Sequence, residues 1–172
     1  MAMPVLAAGH EPTAAEFKQI TDQIDSLTSA SWTDYSGTFA LYATTTNPTK
    51  GNSTYQARYR RPAGSNFIHA RMRIDIGSTF SAGSGTYCFR LPVTASANAI
   101  SMDIGIFRIF DSGTAHRNGG VIIGEFNPAG VAAADVCNIV LNGGTAPLTS
   151  SGSGTAWASG DIIVLNIMYE AA

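Results

Sequence analysis

Arg58, Arg60, Arg71 and Arg73 are the densest charge in a chain of 172 residues that has only ten Lys and Arg. Guanidinium groups recognise carboxylates, phosphates and aromatic faces, so this cluster suits anion binding, protein docking or nucleic-acid contact. Other chemistry is thinner. Hydrolysis by a nucleophile needs Ser or Cys beside a base and an orienting acid; the chain has His10, His69 and His116 but no G-x-S-x-G elbow. Asp75, Asp103, Asp111, Glu125, Asp135 and Asp161 stand singly in sequence, so spacing assigns no glycosidase pair. The GSGT segments at 83–86 and 152–155 lack the Gly-Lys-Ser/Thr of a phosphate loop, and neither precedes a helical pattern. Cys88 and Cys137 have neither CxxC nor Cys/His spacing and are expected as buried thiols. The expectation is a non-enzyme with no catalytic residue, no metal ligand and no cofactor.

The elements that must carry the arginines are strands. From 67 to 76 the residues alternate, Ile68, Ala70, Met72, Ile74 and Ile76 on one face and Phe67, His69, Arg71, Arg73 and Asp75 on the other. Before them Tyr55, Ala57 and Tyr59 oppose Gln56, Arg58 and Arg60, and the PAGSN between the two runs is a hairpin turn. The pattern therefore places all four arginines on one outer sheet face. Such a face is either solvated or a contact for another protein subunit. A net charge of −2, a pI near 5.8 and the lack of Lys clusters or a recognition helix argue against nucleic acid.

Charged residues are only 13% of the chain and Gly is abundant at 18, a profile of short strands and tight turns. Strand patterns fall at 37–43, 53–61, 66–77, 86–92, 101–110, 119–126, 136–141 and 161–170. The expected fold is mainly β, an antiparallel β-sandwich or jelly-roll-like domain over 31–172. An extended arm (1–12) and a short helix (within 13–30) precede it. The opening MAMPVLAAGHEPTAAEF has no basic n-region with a continuous apolar run, and no stretch reaches the ~18 apolar residues of a membrane span; neither a secretion signal nor membrane association is expected.

Thr13-Ala14-Ala15-Glu16 has the form of a capping box, so a helix is expected to start there. Phe17, Ile20, Ile24 and Leu27 follow at spacings of three, four and three, with polar residues between. This narrow stripe either packs on its own domain or forms a seam with copies of itself. Its length is marginal for a coiled coil alone, so a seam requires that the β domains associate as well.

The arm and helix AAGHEPTAAEFKQITDQIDSL, the WTDY at 32–35, the strand pair GNSTYQARYRR and FIHARMRIDIG, the segment GSGTYCFRLPV and the ending WASGDIIVLNIMYEAA together resemble small virion surface proteins of tailed bacteriophages. That family includes head-decoration, minor tail and short-fibre proteins. The resemblance implies a homotrimer with a β-sandwich-like domain, made in the host cytoplasm and located on the virion surface. It implies a structural capsid-decoration protein held to major capsid or tail proteins by its arm and helix. The alternative is a minor tail or short-fibre protein that binds a receptor or host-surface glycan, with Trp32, Trp157 or Tyr42 stacking on sugar rings. One β domain without repeats departs from the long fibres.

Overall fold

The computed structural model describes residues 13–28, 31–112, 116–141, 148–149 and 157–172, with helix side chains described as far as Asp22. The arm at 1–12, with His10, and the GSGT at 152–155 lie outside these residues. Helix α1 spans Ala14–Thr28. Its start is the capping box expected from sequence: the Thr13 hydroxyl accepts from the Glu16 N–H at 3.3 Å, and the Glu16 carboxylate accepts from the Thr13 N–H at 2.7 Å. Lys18 and Asp22, one turn apart, form an exposed ion pair at 2.8 Å, a contribution of a few tenths of a kcal/mol.

The rest is mainly β, with strands β1 (Thr33–Asp34), β2 (Leu41–Ala43), β3 (Thr54–Arg60), β4 (Phe67–Asp75), β5 (Tyr87–Arg90), β6 (Asp103–Phe110), β7 (His116–Ile123), β8 (Val136–Leu141) and β9 (Ile162–Glu170). All pairings are antiparallel, in the order β1-β3-β4-β9-β6-β7-β8-β5-β2. The nine strands form one curled sheet, β-sandwich-like, that wraps around its own core. Alternation does the sorting: Ile68, Ala70, Met72 and Ile74 of β4 and Ile163, Leu165, Ile167 and Tyr169 of β9 are buried together with Phe107 and Ile109 of β6, Tyr87 and Phe89 of β5 and Ile139 of β8. Each large apolar side chain removed from water in this way contributes about 1.5–3 kcal/mol before entropy is counted.

Two local departures from the sequence pattern shape the arginine face. The strand expected from residue 37 begins only at Leu41, because Thr38 and Phe39 both donate to the Tyr35 carbonyl at 2.9 Å and make a turn. That turn seats Tyr35 against Phe39 and Tyr59, with ring centres 5.8 Å apart in each pair. Strand β1 is too short for periodicity to register; it pairs Thr33 with Tyr59 and Asp34 with Arg58. Its consequence is that Trp32 lies on the outer face of the sheet, among the arginines.

A buried carboxylate fastens the other end of the sheet. Asp161 is fully buried and accepts from the Ser112 and Ala158 N–H groups at 2.8 Å, which ties the segment after β6 to the turn before β9. Cys88 and Cys137 are buried and unbridged. Adjacent positions on paired strands put them on opposite sides of the sheet: Cys137 stands opposite Phe89, and the Cys88 sulfur meets the Asn138 amide at 3.3 Å.

Candidate functional site

Strand register places the side chains of the outer face in rows that cross the sheet. One row runs Arg58, Arg71, Asn166, Ile106, Gly120, and the next runs Gln56, Arg73, Val164, Arg108, Asn118. A third runs Thr54, Asp75, Ile162, Phe110, His116. On the other side of the first row, Arg60 faces His69 and His69 faces Met168. The four arginines expected to share a face do share it.

Their environments differ. Arg73 is ion-paired with Asp75, its Nε 2.8 Å from a carboxylate oxygen. Arg60 donates from Nε to His69 Nδ1 at 3.2 Å; since arginine has no acceptor, His69 Nδ1 is unprotonated and Nε2 donates to Asn166 Oδ1 at 2.8 Å. Trp32 joins this group edge-on to His69, with the guanidinium carbons of Arg60 and Arg71 at 5.3 and 5.0 Å from its ring centre. Cation–π contacts hold these two side chains in place. Among the described residues, Arg58, Arg60 and Arg71 have no carboxylate within ion-pair distance.

Toward β9 and β6 the face becomes apolar. Ile106 is 66% exposed, Met168 and Phe67 are 61% exposed, and Phe110 and Val164 also face solvent. Alternation places Phe67 on this face, but not Ile106, Phe110, Val164 or Met168. The available signal was its absence: DIIVLNIMYE carries apolar residues on both phases, Ile163, Leu165, Ile167 and Tyr169 inward and Ile162, Val164 and Met168 outward. Gly119 and Gly120 remove side chains from β7 and leave a cleft of about 590 Å³ bordered by Ile106, Arg108, His116 and Asn118.

Two further clefts share Trp32, Gln56, Ala57 and Arg58 as walls. One, of about 460 Å³, adds Asp34 and Ser36; the other, of about 320 Å³, adds Arg71, Arg73 and Val164. Asp34 accepts from the Ser36 N–H at 2.8 Å. The hydrogen bonds from Ser36, with Arg58 nearby, hold its carboxyl below the usual range, so it is an anion at neutral pH.

Of the expected helix stripe, Phe17 is exposed and Ile20 half-buried, while the side chains of Ile24 and Leu27 lie outside the described residues. Among the described residues the helix does not pack closely against any strand. Of the aromatics expected to meet sugars, Trp32 carries the arginines, Trp157 packs on Tyr87 with ring centres 5.9 Å apart, and Tyr42 is half-buried in β2. Among the described residues no three His, Cys, Asp or Glu side chains converge as a metal site would require. No helix there is long and apolar enough to cross a membrane. No protein-family model, curated protein or solved structure matches the chain.

Proposed function

We propose that this protein is a structural, self-assembling one, a homotrimer built through the apolar centre of its outer sheet face and the stripe of α1. The observation that carries this reading is the set of solvent-facing Phe67, Met168, Ile106, Val164 and Phe110, spread over β4, β9 and β6 on one side of a sheet whose other side already holds the core. Several large exposed apolar side chains on one face mark interaction surfaces. The composition fits as well: aromatic residues, Met and Arg are enriched and Lys is absent from these rows, the bias of protein interfaces. The exposed Phe17, on a helix with no close packing on a strand among the described residues, supports a second contact between copies.

In this reading the chain is a tailed-phage surface protein, a capsid-decoration protein whose arm and helix attach it to other virion proteins. The resemblance in sequence supports that placement, and the trimer comes from the same source. Catalysis has no part in it. Light scattering over a concentration series tests the assembly: the expected mass is three times the 18.0 kDa chain. Ile106→Lys combined with Met168→Lys should reduce it to the monomer mass while circular dichroism stays unchanged. A wild-type protein that remains monomeric at high micromolar concentration sinks the reading.

A further inference from the structure

We propose that the joined clefts around Trp32 bind an acidic sugar, its carboxylate held by Arg58 and Arg71 and its hydroxyls by Gln56 and Asp34. The site lies at the β1–β3 edge of the sheet, beside the apolar centre, and its argument is independent of the assembly reading.

Three features point to a ligand. Arg58 and Arg71 face each other directly across β3 and β4, a like-charge arrangement that costs stability unless something compensates it; Asp34, across from Arg58 on β1, attracts it through space without an ion pair, which leaves two guanidinium groups beside one carboxylate. Arg71 is packed on Trp32, so one side of the anion site is held in position before a ligand arrives. Gln56 is exposed, lines both clefts and has no hydrogen-bond partner among the described residues.

The second cleft selects the kind of anion. Asp34 is ionised, fixed by Ser36 and set across from Arg58 on the flank away from Arg71, where it lines the second cleft. A doubly charged phosphate filling both clefts would meet that carboxylate. A sugar acid has one carboxylate for the arginine forks and neighbouring hydroxyls that donate to Asp34, so it satisfies both walls. The Trp32 ring serves to hold arginines, which distinguishes this site from one in which an aromatic ring stacks on the sugar.

The probes are trigalacturonic acid and N-acetylneuraminic acid, with maltotriose and inorganic phosphate as controls, titrated calorimetrically into the full chain at low salt. Saturable binding of at least one acidic sugar is expected, weakened about tenfold or more by Arg58→Gln and by Arg71→Gln, since each removes a charge-assisted hydrogen bond. Asp34→Asn should weaken the sugar several-fold and leave phosphate no weaker. Arg58, unlike Arg60 and Arg71, does not stack on Trp32, so Arg58→Gln remains informative if Arg71→Gln fails to fold. The proposal is overturned if neither acidic sugar saturates, if phosphate or maltotriose binds as tightly, or if the Arg58→Gln protein binds like wild type. Light scattering on the same samples reads assembly separately: binding by a monomer would defeat the trimer and leave the sugar site standing.

Discussion

Arg58 stands directly across from Arg71 on neighbouring antiparallel strands, with Trp32 laid beside them and, among the described residues, no carboxylate in ion-pair contact with either. A sheet designed only for stability would put opposite charges, or β-branched side chains, at such a pair. Arg73, one row away, shows the ordinary solution in its ion pair with Asp75. Asp34 of β1 attracts Arg58 from the other flank, so two guanidinium groups share one nearby carboxylate.

Replacing Arg58 with Thr should raise stability by about 0.5 kcal/mol, because it removes the facing like charge and supplies a good strand residue. A chemical denaturation midpoint measured at low salt reads this gain, and added salt should narrow it by screening the wild-type repulsion. A variant less stable than wild type would show that Arg58 is compensated within the monomer.

The helix gives the next prediction. Phe17 is exposed and, among the described residues, α1 does not pack closely on any strand, so Phe17→Asp with Ile20→Asp should leave the unfolding of the β domain, followed in the full chain, nearly unchanged, within the ±0.5 kcal/mol usual for surface changes. If the stripe is a seam, the same change should shift the oligomer toward monomer, because burial of unpaired charge is costly. An oligomer of unchanged mass by sedimentation would remove the helix from the assembly.

The hairpin that carries the arginines was legible because its signal is local: alternation in 67–76 and a turn at PAGSN fix which side each residue faces, and the register of β3 with β4 agrees at every position. The capping box was legible for the same reason. The apolar outer patch was not, since Ile106, Val164 and Met168 lie in β6 and β9, which have apolar residues on both faces; only the pairing of those distant strands shows which of them the core absorbs. Trp32 was named as a loop aromatic, but its neighbours are set by β1, two residues long and invisible to periodicity. Long-range pairing, not composition, made the site.

Gly105 tests the junction that aligns those two strands. A Cβ at this position would run into the Asn166 carbonyl of β9, beside the irregular register between Asp103 and Gly105 in β6. Gly105→Ala is therefore expected to destabilise by about 2 kcal/mol or more, because the obstacle is backbone, which cannot rotate away. Gly64, whose added Cβ would meet nothing within 4 Å, has a positive φ of 73°; its substitution by Asn, which tolerates that conformation, should cost far less. Equal melting temperatures for the two variants would contradict the close approach of β6 to β9.

The thiols set the last expectation. Burial pushes the Cys88 thiol up from 9.0 to about 11, and burial raises Cys137 as well. Both are neutral in the fold, and Cys88 also meets the Phe126 carbonyl at 3.4 Å and the Asn138 amide at 3.3 Å. The folded state thus holds these protons more tightly than the unfolded chain does. Their stabilising effect is complete below the unfolded thiol value of 9.0 and is lost as pH rises through about 11. Stability should be flat with respect to these groups from pH 7 to 8 and fall from pH 9 upward. Half-buried Tyr55, raised by desolvation to about 12, extends the fall. At pH 8 a thiol reagent should label neither cysteine until denaturant opens the sheet, so labelling and unfolding should share one midpoint. Rapid modification of Cys88 in the native protein would show that the Phe126 segment opens independently of the sheet.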